Sequence, residues 1–346
     1  MEDVTKILTD IKPLVDKEIE KHIPRKGIPQ VLFEGCWKFF DYGGKRFRPA
    51  LIALSCEALN GNVKDTIPAG AALEIAHTYL LIHDDIEDDS KLRRGEPCLH
   101  ITYGIPHAIN MGDYLVIKSY ESLLSGQKIW GPEKTIKIID LMNEMLSITG
   151  MGQAMEIEQR DRGLPEATME WYEKMSLHKT GYYSGGTPCA IGAVIAGGNE
   201  KEVESLKKFG FAVGIAFQIQ DDILNVTMSE AEEKSAPGTA GGGYGKDFAG
   251  DIKEGKRTLI IVHAFEHADK KEKERMRKLV GKKDITTNEK KEVIEIMKKY
   301  ESVEFAKNYA RRMIEEAVKN MKEKIPKTEG RKKLESIAKF LIERKF

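Results

Sequence analysis

The run LLIHDDIEDDSKLRRGEPCLH, residues Leu80 to His100, joins an apolar segment to an acidic one without a break. Ile75, Ala76, Tyr79, Leu80, Leu81 and Ile82 lead straight into Asp84, Asp85, Glu87, Asp88 and Asp89. On a helix, Asp84 and Asp88 are one turn apart and project the same way, a geometry that lets two carboxylates share one divalent cation. Acids this close repel one another unless something cationic sits among them. Taken alone, the run reads as a solvated acidic helix end, because charge runs usually face water. The apolar approach argues instead for carboxylates at the mouth of an apolar space.

A second acidic pair, Asp221 and Asp222 in FAVGIAFQIQDDILNV, ends another long apolar run, with Asn225 one turn below Asp221. Buried acids are costly unless paired with a metal or a base. If the two helices face each other, their oxygens surround a space suited to Mg²⁺, which takes its remaining ligands from water and phosphate oxygens. The pattern is that of a site for a metal-bound polyphosphate.

Apolar residues recur at helical spacing through Ala50–Leu59, Ala69–Ile86, Ala108–Leu124, Thr135–Ile157 and Glu202–Val226, and alternating β-branched runs are almost absent. Turn signals at Gly43-Gly44, Asn60-Gly61, Gly104-Ile105-Pro106, Gly131-Pro132 and Gly197-Gly198 punctuate these segments. The expectation is an all-α protein with ten or more helices. With no composition shift and no fixed repeat, residues 1–346 read as one domain. The stretch SEAEEKSAPGTAGGGYG, residues 229–245, has nothing periodic to bury and reads as a flexible loop. It is not a P-loop, since Gly245-Lys246 is followed by Asp247 and no strand precedes it.

Composition removes several function classes. Lys plus Arg equals Asp plus Glu at 55 each, so no global field points to nucleic acid or an acidic membrane. Cys36, Cys56, Cys98 and Cys189 have no metal or disulfide spacing and fit a reducing compartment. No stretch approaches a membrane span and no secretory leader is recognisable, so the expectation is a soluble cytoplasmic protein without stable membrane insertion. Basic residues complete the pattern. Lys45, Arg46 and Arg48 stand at a predicted helix start, Arg93 and Arg94 follow the first acids, and Lys179, Lys246 and Lys256-Arg257 lie near glycine turns or acids. Each alone is an ordinary surface cation; their shared adjacency to acid clusters is the signal.

The motifs GGKRFRP (Gly43–Pro49), HDDIEDDSKLRRG (His83–Gly95), GQAME (Gly152–Glu156), KTGYY (Lys179–Tyr183), FQIQDD (Phe217–Asp222) and GKDFAGDIKEGKRT (Gly245–Thr258) resemble, in order, those of the trans-isoprenyl diphosphate synthases. The resemblance implies an isoprenoid synthase fold, a single large helical bundle around a central cavity. It implies that Asp84, Asp85 and Asp88 with Asp221 and Asp222 hold three Mg²⁺ ions on an allylic diphosphate bound by Arg93, Lys179 and Lys246. Lys45, Arg48, His77 and Arg94 match positions that bind isopentenyl diphosphate, and Lys256 belongs with the basic set. Thr180 and Gln218 match residues close to the reacting carbons, and Gln153 and Glu156 a pair near the metals. A homodimer or higher homo-oligomer is the family's expected assembly.

The resemblance also bears on product length. Tyr79 with Leu80 and the small Ala76 precede the first acid motif, as in archaeal geranylgeranyl diphosphate synthases, where an aromatic residue there ends elongation. On a helical wheel Tyr79 is roughly 140° from Asp84, so it would border the cavity rather than floor it. Asn225, in place of the usual aspartate, resembles eukaryotic geranylgeranyl synthases and would remove one charge from the outer metal shell. A farnesyl or mixed-length synthase is the nearest alternative. A terpene cyclase has no use for Lys45, Arg48 and His77, and a catalytically silent partner subunit predicts broken acid motifs, whereas both Asp pairs are intact.

Overall fold

The computed structural model describes residues 2–162, 167–227 and 248–343. Helices dominate: α1 (Glu2–His22), α2 (Gln30–Asp41), α3 (Phe47–Ala58), α4 (Ile67–Glu87), α5 (Leu99–Tyr103), α6 (Ile105–Ser125), α7 (Gln127–Arg162), α8 (Met169–Ser176), α9 (Thr187–Ala196) and α10 (Glu200–Thr227) come first. After residue 247 follow α11 (Gly250–Glu254), α12 (Leu259–His267), α13 (Lys270–Leu279), α14 (Thr287–Lys299), α15 (Ser302–Lys324) and α16 (Glu329–Glu343). The expected helical segments fall inside these elements, apart from Leu59, which caps the end of α3. One short antiparallel hairpin, β1 (Leu92–Arg93) with β2 (Glu96–Pro97), departs from the purely helical expectation. It turns through Arg94 and Gly95, both at positive φ, which carries the chain sharply away from the end of α4.

Sequence explains where the helices stop. Pro68 sits in the first turn of α4 and its carbon-rich, Ala-rich face buries Ala69, Ala72, Leu73, Ile75 and Ala76. Each large apolar side chain so buried contributes about 1.5–3 kcal/mol. The helix ends on the acid motif itself, where Asp88 N–H donates to the Asp84 carbonyl at 2.9 Å and Asp89 turns to φ +50°. The Gly131-Pro132 signal marks a break in α7, with Gly131 at φ +75°. Two features had no signature in periodicity. Leu177–Gly186, LHKTGYYSGG, is a π-helix, a rare wide-turned form that recurs at functional sites. It crosses α10 backbone to backbone: a Cβ on Gly185 would overlap the Gly210 carbonyl, and one on Gly210 the Gly185 carbonyl.

Candidate active site

The first acids lie at the C-terminal end of α4 and the second pair in the last two turns of α10. A helix C-terminus carries partial negative charge, so both positions are unfavourable for carboxylates without cations nearby. Arg93, delivered by the hairpin, donates through Nε to Asp85 Oδ1 at 2.8 Å and lies 3.5 Å from Asp84 Oδ2. Lys179 from the π-helix pairs with Glu156 and lies 3.4 Å from Asp84 Oδ1. That approach depends on Gly152: a Cβ there would collide with the Lys179 backbone, so its absence lets α7 bring Gln153 and Glu156 against the π-helix. Gln153 then donates to Asp84 Oδ1 at 3.2 Å and to Glu87.

Asp88 has a separate set of partners. Its carboxylate is 1% exposed, with Arg160 at 2.6 Å on Oδ1 and Lys256 at 3.1 Å on Oδ2. Lys256 also pairs with Glu254 at 2.8 Å. Arg160 did not stand out in the sequence, although it lies on the same stripe of α7 as Gly152 and Glu156. On α10, Gln218 donates to Asp222 Oδ1 at 2.7 Å, and Asp222 is buried beside Tyr172. Thr180 is buried within the π-helix. Lys246 and the stretch 229–245 lie outside the described residues.

Burial and charge act together here. Burial pushes the Asp85 carboxyl up, with Arg93 working against it. Burial alone would lower Lys179 and Lys256, but Glu156 with Asp84, and Asp88 with Glu254, hold both ammonium groups above their usual range. Burial would likewise raise Glu156, yet Lys179 and Lys256 hold it below.

One end of a second cationic region lies two turns up α4. His77 is seven residues before Asp84, which is about 10 Å along a helix. Its Nδ1 is buried without a hydrogen-bond partner, and burial, then Arg48, Arg94, Arg93 and Arg46, hold the imidazole well below its ordinary value. Arg48 stacks over Tyr183 at 4.4 Å and donates to Ser184 Oγ at 2.8 Å. Burial and the neighbouring arginines push Arg94 down to about 10. Lys45 is exposed. Such a crowd of cations around a neutral ring is chemically an anion site.

One sequence expectation needs correction, and one residue acquires a partner. Arg46 is not available to an anion: it is 5% exposed, bonded to Asp16 at 2.6 Å and Glu74 at 3.1 Å, and ties α1 to α4. Asn225, at the place of the usual aspartate, is engaged by backbone. It is 1% exposed, its Oδ1 accepts the Asp251 N–H at 3.2 Å and its carbonyl accepts the Ala249 N–H at 3.1 Å.

The donor set fits a hard divalent cation: it is all carboxylate, and Asp85 Oδ2 is buried with no hydrogen-bond partner. Among the described residues no three His, Cys, Asp or Glu side chains converge at coordinating distance. A cation held by one or two of these acids would complete its shell with water and ligand oxygens, as Mg²⁺ commonly does. Tyr79 is partly buried, edge-on to His83 at 5.8 Å, and packs against two core clusters, one of which holds Ala76, Leu73 and Met142.

The sequence profile of the family described as polyprenyl synthetase matches residues 29–297. The chain is 32% identical to a geranylgeranyl diphosphate synthase of Sulfolobus acidocaldarius over 98% of this chain and 97% of that one. Among solved structures, a geranylgeranyl pyrophosphate synthetase from Pyrococcus horikoshii superposes with a TM-score of 0.88 at 35% identity, covering 99% of both chains. The geranylgeranyl pyrophosphate synthase from Corynebacterium glutamicum, solved with isoprenyl diphosphate and magnesium, gives 0.85 at 25% identity over 99% of both.

Proposed function

This chain belongs to the polyprenyl synthetase family, and from that membership we propose that it condenses isopentenyl diphosphate head to tail with allylic diphosphates to give geranylgeranyl diphosphate. The observation that carries this reading is the presence of two cationic regions about 10 Å apart along α4, one threaded with the carboxylates of Asp84, Asp85 and Asp88 and one around His77 whose neighbouring acid, Glu74, is paired with Arg46. The first suits a metal-bound allylic diphosphate and the second a metal-free one.

Mg²⁺, three ions in the family's pattern, would be held by Asp84, Asp85, Asp88, Asp221 and Asp222 and supplies Lewis acidity to the leaving diphosphate. Arg93, Lys179, Lys256 and Lys246 neutralise that diphosphate as its allylic C–O bond breaks. Lys45, Arg48, Arg94 and His77 hold isopentenyl diphosphate alongside, so its terminal alkene carbon forms the new C–C bond with the allylic cation. The proton then lost goes to the released pyrophosphate. Thr180 and Gln218 stand close to the reacting carbons, and the apolar wall of α4 excludes water. No side-chain nucleophile is required.

The archaeal geranylgeranyl synthases among its relatives favour that product over farnesyl or mixed-length products. Tyr79, with Leu80 and Ala76, is assigned to ending elongation. Residues 1–346 are read as one isoprenoid synthase domain. Exposed Ile105, Ile109, Ile117 and Leu124 on α6 with Ile129 and Ile136 on α7 support a homodimer through this face. No helix among the described residues is long and apolar enough to cross a membrane, and four buried free cysteines support a cytoplasmic setting. Incubation with isopentenyl and dimethylallyl diphosphates plus Mg²⁺, with chromatography of the dephosphorylated products, tests the assignment. Geranylgeraniol is the expected product; no pyrophosphate release would make the chain a silent subunit.

A further inference from the structure

Lys256 reaches Asp88 from a turn that two separate parts of the chain hold in place. α11 is five residues long and is entered and left through left-handed backbone, at Ala249 (φ +46°) and Gly255 (φ +75°). An alanine in that region persists only where its surroundings over-determine it. From α10, Asn225 accepts the N–H groups of Ala249 and Asp251. The other support is the hairpin of α13 and α14. Lys290 of α14 donates through Nζ to the Phe248 carbonyl, with its ammonium 5.9 Å from the centre of the Phe248 ring. Gly281, in the connection between α13 and α14, donates its N–H to the Ile252 carbonyl at 2.8 Å. Gly255 packs against it: a Cβ on Gly255 would lie 3.0 Å from Gly281 Cα. Lys282 pairs with Glu289 at 2.8 Å and ties that connection to the first turn of α14.

Phe248 and Ile252 also share an apolar cluster with Leu279, Val280, Val293 and Ile294. Apolar contact is non-directional and does not set the rotation of the turn. Hydrogen bonds on the carbonyls at its entry and in its middle do, because they have a preferred angle. That rotation decides where the Lys256 ammonium, 3.1 Å from Asp88 and 2.8 Å from Glu254, is aimed. We propose that the α13–α14 hairpin positions Lys256 for the departing diphosphate, and that Lys290 is a positioning residue for the reaction, acting through Phe248 and α11. The proposal rests on the reading of Lys256 as a ligand of the allylic diphosphate.

A double-mutant cycle on the full-length chain separates positioning from general support of the fold. Lys290→Met, Lys256→Ala and the double variant are compared by steady-state kinetics with dimethylallyl and isopentenyl diphosphates and Mg²⁺, with rates taken per folded molecule. Lys290→Met is expected to lower kcat and raise the KM for dimethylallyl diphosphate, together about tenfold in kcat/KM, part of the ~100-fold that a 1 Å misplacement can cost. The KM for isopentenyl diphosphate is expected to stay within about twofold of the wild type, and Lys290→Arg, which keeps a donor, to recover most of the loss. In the Lys256→Ala background the same Lys290→Met substitution is expected to cost less than about twofold, because the group it aims is gone. Should Lys290→Met fail to fold, Lys290→Gln takes its place in the cycle. Equal losses in the two backgrounds, or no loss from either substitution at Lys290, overturn the positioning. Lys256→Ala as active as the wild type overturns the role of Lys256 and the positioning with it, whereas a wild type that releases no pyrophosphate overturns the reading of the site itself.

Discussion

The amide oxygen of Asn225 accepts the backbone N–H of Asp251 at 3.2 Å, across 26 residues of chain. With the Asn225 carbonyl on Ala249 N–H, this fixes the start of α11, and the Asp251 carbonyl in turn accepts the N–H of Lys256 at 2.9 Å. Asn225 thereby helps aim Lys256 at Asp88.

Replacing Asn225 by Leu leaves a buried N–H without an acceptor, which costs about 1–3 kcal/mol. Urea unfolding of Asn225→Leu should show that loss, and steady-state kinetics should show a raised KM for the allylic diphosphate. Asn225→Asp retains an acceptor and should keep more of the affinity. Equal stability of Asn225→Leu and the wild type would remove the anchor from the account.

Gly185 and Gly210 leave no room for side chains where the π-helix crosses α10. Gly210→Ala should cost about 1–3 kcal/mol or more, because backbone rather than a flexible side chain must yield. Thermal unfolding measures it; a neutral substitution would mean that the crossing has room for a methyl group.

Arg46 forms a nearly fully buried pair with Glu74 and a second contact with the partly exposed Asp16. Arg46→Ala leaves Glu74 charged and unpaired, at about 3–5 kcal/mol. Activity per folded molecule should change less than for Arg48→Ala, and a comparison of denaturant midpoints with kcat/KM separates the two roles.

His77 is neutral in the fold because burial and its arginine neighbours hold it well below the ordinary histidine value. Below about pH 6.5 the unfolded chain binds a proton that the folded one does not, so stability falls as pH drops through that range. His77→Gln should flatten the dependence of unfolding free energy on pH between about 6.5 and 5. A slope identical to the wild type would assign the acid sensitivity to other groups.

Tyr79 packs beside α6 and α7 residues, in the cluster that holds Leu123, Met142 and Met145. Tyr79→Ala should lengthen the product, read by chromatography of the released alcohols. An unchanged chain length would place the stop elsewhere.

The helices bearing the acid motifs were legible because helical periodicity and turn residues are local: Ala69–Ile86 and Glu202–Val226 lie within α4 and α10. So were the acids themselves, since spacing along one helix puts Asp84 and Asp88 on one stripe. The sequence also marked the basic residues as a set and carried the family motifs in order. Only the tertiary structure decided partners: that Arg46 goes to Asp16 and Glu74, that Asn225 holds a backbone N–H, and that Arg160 and Lys256 share Asp88. It alone revealed the π-helix and the two glycines that admit it against α10. The reason is physical: a helix is set by contacts three and four residues apart, whereas which cation neutralises which buried acid depends on how distant helices dock.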